Sequence, residues 1–286
     1  MGGTILSVSA DFRDQFVVRP GHKLHLKDRD PDFRGPYNNH AAAAQAMQTY
    51  LDRLSQLQAL LYADKRYALL IVLQALDAGG KDGTIKHVFG AFNPQGTTVT
   101  SFRAPTPVEL EHDFLWRVHP HTPGKGQIAV FNRSHYEDVL VTRVHGLIDK
   151  ATWTARYGFI RDFEQGLVAS NTRIIKFFLH ISPEEQLDRF EKRLTDPTRN
   201  WKISESDYIE RERWDDYIQA FEDALSETST AEAPWYVIPS DHKWFRRLLV
   251  ARIVTATLEE MDPRWPEPEE DLEQFAAEEL DQLSRR

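Results

Sequence analysis

The stretch that most constrains this chain is Tyr67-Ala-Leu-Leu-Ile-Val-Leu-Gln-Ala-Leu-Asp-Ala-Gly-Gly-Lys-Asp-Gly-Thr-Ile-Lys86. Its first nine residues are almost uninterruptedly apolar, too short for a free-standing helix and followed by glycines, so they predict a buried parallel strand. Gly79, Gly80 and Gly83 let the backbone turn sharply, and the pattern from Gly83 predicts a helix. A strand, a glycine turn carrying Lys81 and a helix start together predict a phosphate cradle, with backbone N–H groups and the positive helix end facing an anion.

The loop departs from the common nucleotide-binding pattern G-x-x-x-x-G-K-[ST]. Ala75 stands where its first glycine belongs, and Asp82 replaces the metal-binding hydroxyl, with Thr84 the nearest alternative. Asp77 lies inside the loop, where a carboxylate repels phosphate unless a cation bridges the two. The competing bland reading is a glycine-rich turn with a surface lysine.

Downstream, the chain alternates helices and strands. Ala44, Met47, Leu51, Leu54, Leu57 and Leu61 recur at helical spacing, predicting an amphipathic helix over 40–64. Thr97–Phe102 reads as a strand. Thr106-Pro-Val-Glu109 is a capping box predicting a helix to about Val118. A strand follows at Gln127–Phe131, then helices at 134–146 and 150–169. Arg173–Ile181 is a second buried strand, Ser182-Pro-Glu-Glu185 starts another helix, and Trp235–Ile238 leads into a helix ending near Glu260. This order argues for an α/β fold with a parallel sheet covered on both faces.

Three regions follow from composition. Residues 1–39 hold turn formers and basics and predict an irregular N-terminal extension, either a solvated arm or part of an anion-binding rim. Residues 40–260 hold the regular pattern as one domain, within which 188–216 is dense in charge. Residues 261–286 predict an acidic, weakly ordered tail. The net charge of −9 is concentrated there: from Glu259 onward eleven acids face three arginines, so the remainder is close to neutral and a local basic groove is compatible with it. No cysteine is present, which excludes disulfides and thiolate chemistry and suits a reducing cytoplasm. No apolar run approaches membrane-spanning length, and the start lacks a signal-peptide pattern.

In doubly wound sheets ligands sit beyond the carboxyl ends of the strands. There the Asp77–Lys81 loop meets a second polar segment, Asn132-Arg-Ser-His-Tyr-Glu-Asp138. Arg133 offers a rigid fork for phosphate oxygens. Glu137 and Asp138 offer oxygen ligands for Mg²⁺, or else a salt-bridge cluster at a helix start. Arg193, Arg199 and Lys202 are candidates for a mobile lid that neutralises phosphate charge, against the alternative of a solvated helix face. Lys86 and His87 sit where a longer anion would lie. His119 and His121 flank Pro120 in a turn with few carboxylates and make a poor metal site. Trp201, between lid basics, is a candidate cover for a ligand.

Asp77-Ala-Gly-Gly-Lys-Asp-Gly83, Phe131-Asn-Arg-Ser-His-Tyr-Glu-Asp-Val-Leu-Val141, the segment Arg189–Lys202 and Ala233-Pro-Trp-Tyr-Val-Ile-Pro239 resemble family-2 polyphosphate kinases over roughly residues 40–260, most closely their third class. The resemblance implies a three-layer α/β/α P-loop kinase-like sandwich with a helical lid, commonly a homotetramer. It implies Mg²⁺-dependent, reversible transfer of a terminal phosphate from inorganic polyphosphate to AMP or ADP, giving ADP or ATP, with no nucleic acid and no membrane partner. By resemblance the catalytic positions are Asp77, Lys81, Arg133, Asp138 and Arg193. Ala78, Gly79, Gly80, Asp82, Gly83, Thr84, Lys86, Arg199 and Lys202 would bind polyphosphate. Asn132, Arg133 and Glu137 would meet the nucleotide, and Asp77, Asp138 and Glu137 the metal. Two rival readings are an ATP-dependent nucleoside monophosphate kinase, against which Ala75 and Asp82 count, and a non-catalytic polyphosphate-binding protein, which has no need of the acidic residues.

Overall fold

Every residue of the central strand β1 and every residue but Arg173 of its neighbour β4 is buried, and alternate residues feed two separate cores, which decides the architecture. The computed structural model describes residues 11–37, 39–268 and 284. In chain order the elements are α1 (Asp11–Asp14), α2 (His40–Asp64), β1 (Ala68–Gln74), α3 (Lys81–His87), β2 (Thr97–Ser101), α4 (Pro107–Leu110) and β3 (Ile128–Asn132). There follow α5 (Val141–Val144), α6 (Lys150–Ala169), β4 (Thr172–His180), α7 (Pro183–Thr195), α8 (Glu205–Glu212), α9 (Trp214–Thr228), β5 (Trp235–Pro239) and α10 (Lys243–Glu260).

The five strands form one sheet in the order β2-β3-β1-β4-β5, with every pairing parallel. Leu69, Ile71 and Leu73 point to one face with Ile175 and Phe177, against Leu54, Leu57 and Leu61 of α2 and Phe245, Leu249 and Ile253 of α10. Leu70 and Val72 point to the other face with Ile174 and Phe178, against Tyr157 and Ile160 of α6 and Phe221 and Leu225 of α9. The result is the expected α/β/α sandwich. Each fully buried Leu, Ile or Phe in it contributes roughly 1.5–3 kcal/mol.

Three expectations are corrected. The helix expected to reach Val118 stops at Leu110, because Asp113 accepts a hydrogen bond from the Leu115 N–H (3.0 Å) and starts a separate turn. The helix expected over 134–146 is a 3-10 turn at His135–Val139 followed by the short α5. Gly146, at φ +62°, closes α5 by letting the Leu147 N–H return to the Thr142 carbonyl (2.8 Å).

The N-terminal segment is not a solvated arm. Val17 bridges Tyr236 antiparallel to β5, the Val18 N–H reaches the Trp235 carbonyl at 2.8 Å, and Phe16, Val18, Leu24 and Leu26 are buried. Those backbone groups cover an otherwise open sheet edge. Its basics Arg19, Lys23 and Lys27 stay exposed, and Arg29 donates to the Val17 carbonyl (3.2 Å) instead of lining an anion rim. The acidic tail expected at 261–286 falls outside the described residues except for 261–268 and 284, and its start is held where the Arg264 N–H donates to Asp64 (3.0 Å).

Candidate active site

Strand β1 delivers the chain into a loop, residues 75–80, that sits against the starts of both α7 and α10. Gly79 has no room for a side chain, since a Cβ there would lie 2.6 Å from the Ala75 Cβ. At Gly80, with φ +108°, a Cβ would meet the Arg246 guanidinium at 2.2 Å. Helix α3 starts at Lys81, two residues earlier than expected, with Gly80 as its cap.

Lys81 is not the surface lysine of the sequence reading but a buried one. Its side chain folds back so that Nζ donates to the Ala75 carbonyl at 2.8 Å and reaches the Leu76 carbonyl at 3.5 Å. Burial, then the neighbouring Arg133 charge, lowers its pKa to about 8, while Asp77, Glu137 and Asp82 oppose that shift. A cation with so little solvent gains strongly from an anion placed beside it.

Strand β3 delivers Arg133 to the other side of the same opening. Arg133 is left-handed, at φ +61°, and its N–H donates to the Leu73 carbonyl of β1 (3.0 Å). Its guanidinium pairs with Asp77 at 3.0 Å and lies 3.9 Å from Glu137. Burial works against the Arg133 charge, and Glu137 and Asp77 more than offset it. Burial raises the Glu137 pKa, with Arg133 and Lys81 holding it back. Asp77, Arg133 and Glu137 line a cavity of about 240 Å³ whose far wall is Glu210, Trp214 and Tyr217.

The remaining expected residues are placed elsewhere. Asp138 turns away and pairs with Arg156 (3.3 Å), and burial raises its pKa to about 6. Asp82 pairs with Lys202 (3.1 Å) and accepts from Asn132 (3.0 Å); burial works against its charge, and those two hydrogen bonds outweigh it and lower its pKa. Arg193 reaches the Lys202 carbonyl (3.4 Å) and Arg199 pairs with Asp196 (3.0 Å), so neither lines the cavity. Lys86 is exposed on α3, and His87 lines a separate hollow of about 150 Å³ with His40, Trp244 and Arg247. Thr84 is buried, its hydroxyl donating to the Gly80 carbonyl (3.1 Å), and Gly83 faces Arg246 and Arg247. Trp201 is 74 % exposed, with the Lys202 ammonium 5.0 Å from its ring centroid.

The three carboxylates expected as metal ligands therefore do not share a cluster, and no group of three potential ligands occurs among the described residues. Asp77 and Glu137 remain together at the cavity. Two carboxylates lining one cavity suit Mg²⁺, which completes its shell with phosphate oxygens and water.

The sequence reading missed the groups that hold the loop. Arg189 of α7 donates to the Ala78 carbonyl (2.8 Å) and the Asp241 carbonyl (3.1 Å), and Gln186 to the Asp77 carbonyl (2.9 Å). Arg246 of α10 donates to the Gly79 carbonyl and to the Thr84 hydroxyl, each at 3.1 Å. Arg246 is 1 % exposed, and burial with Arg189 and Arg247 nearby lowers its pKa. The available signal was an Arg-Arg pair opening an otherwise apolar helix.

Comparison with known proteins narrows the chemistry. The family model of polyphosphate kinase 2 matches residues 37–266. A protein of Meiothermus ruber named AMP/ADP-polyphosphate phosphotransferase is 48% identical over 256 residues, 89% of this chain and 96% of its own. An ADP-polyphosphate phosphotransferase of Rhodopseudomonas palustris is 45% identical over 88% of this chain and 92% of its own. The crystal structure of polyphosphate kinase 2 from Arthrobacter aurescens TC1 has a TM-score of 0.89 at 39% identity, covering 93% of this chain and 95% of that one.

Proposed function

The chain belongs to the polyphosphate kinase 2 family, and from that premise we propose that it transfers the terminal phosphate of inorganic polyphosphate to AMP and ADP, forming ADP and ATP. The observation that carries the reading is the convergence of Asp77, Arg133 and Glu137 on one cavity between the ends of β1 and β3, with the buried Lys81 ammonium near enough to feel all three charges. A loop gripping ATP through a bound metal keeps a hydroxyl after its lysine, whereas here Asp82 fills that place and is engaged by Lys202 and Asn132.

In the reaction an oxygen of the acceptor phosphate forms a bond to the terminal phosphorus of the polyphosphate. The bridging oxygen leaves with the electron pair, so the donor shortens by one phosphate and no covalent enzyme intermediate is needed. Lys81, pinned to the Ala75 carbonyl, supplies fixed positive charge beneath the transferring group. Arg133, already oriented by Asp77 and Glu137, spreads charge over the equatorial oxygens. Mg²⁺ held by Asp77 and Glu137 would neutralise phosphate oxygens and bring donor and acceptor together. Because the groups are fixed before substrate arrives, catalysis is chiefly positioning and electrostatics.

The segment 188–216 acts in this reading as a lid, the protein works as a cytoplasmic homotetramer, and neither nucleic acid nor membrane is a partner. No helix among the described residues is long and apolar enough to cross a membrane. The test is incubation of the protein with AMP, Mg²⁺ and long-chain polyphosphate without ATP. Chromatography should show ADP and then ATP; product formed only when ATP is the donor would overturn the reading in favour of a nucleoside monophosphate kinase, and binding without product in favour of a non-catalytic polyphosphate-binding protein.

A further inference from the structure

Beneath the site, in the core shared with α6 and α9, lie charged groups that the proposed chemistry does not use. Lys176 of β4 is 0 % exposed and Glu164 of α6 is 2 % exposed. The Lys176 ammonium donates to Glu164 Oε2, to Tyr136 Oη (2.9 Å) and to the Thr228 carbonyl (2.8 Å), so its three protons are all directed at acceptors. Tyr136 Oη donates to Glu164 Oε1 (2.8 Å) and lies 3.0 Å from Thr228 Oγ1, which also accepts from the Trp235 indole N–H (3.0 Å). His135 Nε2 faces Glu164 Oε1 at 3.4 Å. Stability alone is a weak reason for such a group, since a well-packed apolar replacement of a buried ion pair is often at least as stable.

Its place in the chain supplies another reason. Tyr136 lies three residues after Arg133 and directly before Glu137. Arg133 holds a left-handed backbone that a non-glycine residue keeps only when its surroundings over-determine it. On one side the Arg133 N–H is tied to β1 at Leu73. On the other, the Ser134 hydroxyl accepts from the Tyr136 N–H (3.2 Å) and from Gln74 Nε2 (3.1 Å), and the Tyr136 ring is locked between Trp235 (centroids 4.8 Å apart) and the ion pair.

We infer that Tyr136, gripped by Lys176, Glu164 and Thr228, is a positioning residue that keeps the Arg133 turn left-handed and so aims the guanidinium at Asp77 across the cavity. The inference rests on the phosphotransferase reading for its rate measurement but not for its structural one. It separates two roles that a buried network can have. A network that only stabilises the core changes melting temperature and leaves the rate alone, whereas a clamp on Arg133 changes the rate through Arg133.

The experiment compares the full-length wild type, Tyr136→Phe, Arg133→Lys and the double variant. In the wild-type background Tyr136→Phe should lower kcat with AMP and polyphosphate by about tenfold. In the Arg133→Lys background it should lower kcat less than about twofold, because the group it positions is already compromised. Its loss of melting temperature should be the same in both backgrounds. Hydrogen exchange should quicken at least about tenfold across residues 133–139 and stay unchanged in β4 and β5.

A kcat within twofold of wild type, equal rate losses in both backgrounds, or unchanged exchange at 133–139 would each overturn the inference. Wild-type protein lacking polyphosphate-dependent transfer would sink the functional reading instead, and the exchange measurement would still decide the clamp. Should Tyr136→Phe not fold, Thr228→Val, which keeps shape and removes the hydroxyl beside Tyr136 Oη, is read by the same criteria.

Discussion

The loops that follow β1 and β3 face each other across one cavity, yet they are held by opposite means. Residues 78–80 have small side chains or none, and the loop is gripped from outside, with Gln186, Arg189 and Arg246 donating to the carbonyls of Asp77, Ala78 and Gly79. Residues 132–138 are large and polar, and that loop is anchored from within by Tyr136 in the buried network. The difference follows from what each presents. A loop meant to bring its backbone close to an anion needs its carbonyls taken up behind it, and glycine leaves the space for the braces. A loop meant to present a guanidinium needs one backbone conformation, which a side chain packed three residues away can enforce.

The largest expected effect lies on the first loop. Lys81→Met should lower turnover by about 10³-fold or more, since it removes the charge beneath the transferring phosphate. The melting temperature should change little, because relief of a charge that burial opposes offsets the loss of the Ala75 carbonyl's partner. With a folded pKa of about 8 against an ordinary 10.5, the charged lysine lowers stability below pH 8, and that penalty fades as pH rises through 8 toward 10.5. The same group sets an alkaline limb. In the wild type, kcat/KM should decline above about pH 8, and Lys81→Arg should move the decline upward. A profile flat to pH 10 would show that Lys81 is not the required cation. Arg246→Met tests the brace. Turnover should drop roughly 10²-fold, since the Gly79 carbonyl and Thr84 hydroxyl lose their partner, and melting should fall as well. A rate loss no larger than that of Tyr136→Phe would mean both loops are held equally firmly.

The contrast also explains what was legible in the sequence. The strands were readable because Ile71, Val72, Ile174 and Phe178 are buried by their own local pattern, and the loop after β1 because Gly79, Gly80 and Lys81 are contiguous. Arg246 and Arg189 were not legible as braces, since their partners in the 75–80 loop are backbone carbonyls 167 and 111 residues away, which carry no residue identity. The pairing of Asp138 with Arg156 was not legible, because adjacency to Glu137 does not fix direction in a 3-10 turn. Lys176 was visible as a charge inside an apolar strand, but its partner Glu164 lies on another element. The N-terminal segment looked irregular, and its role became clear only where Val17 meets Tyr236.

A smaller effect separates the acceptors. Glu137 faces the cavity and Arg133, and AMP carries one phosphate fewer than ADP, leaving space that a cation or water held by a carboxylate would fill. Glu137→Gln should lower kcat/KM for AMP by about tenfold, roughly 1.4 kcal/mol of transition-state stabilisation, and for ADP by less than about threefold. Equal losses for both acceptors would mean that Glu137 acts only through Arg133 and the shared metal, and does not discriminate between the acceptors.

The smallest effect concerns the contact between the first loop's helix and the segment 188–216. Lys202 and Asp82 form a half-exposed pair at 3.1 Å, with side-chain exposures of 35% and 66%. Pairs of this kind contribute about 0–1 kcal/mol and are screened by salt. If Lys202 acts only through Asp82, then Lys202→Gln and Asp82→Asn should each raise the KM for polyphosphate about twofold to threefold at low ionic strength. Neither should change kcat, and the difference should vanish near 0.5 M salt, where the Debye length is about 4 Å. If Lys202 instead holds a phosphate, the two substitutions diverge. Lys202→Gln then lowers kcat/KM at every salt concentration, while Asp82→Asn releases the lysine and lowers the KM. Steady-state kinetics of the two variants at two salt concentrations distinguish a strut between α3 and that segment from a substrate contact, because only a strut gives both variants the same sign.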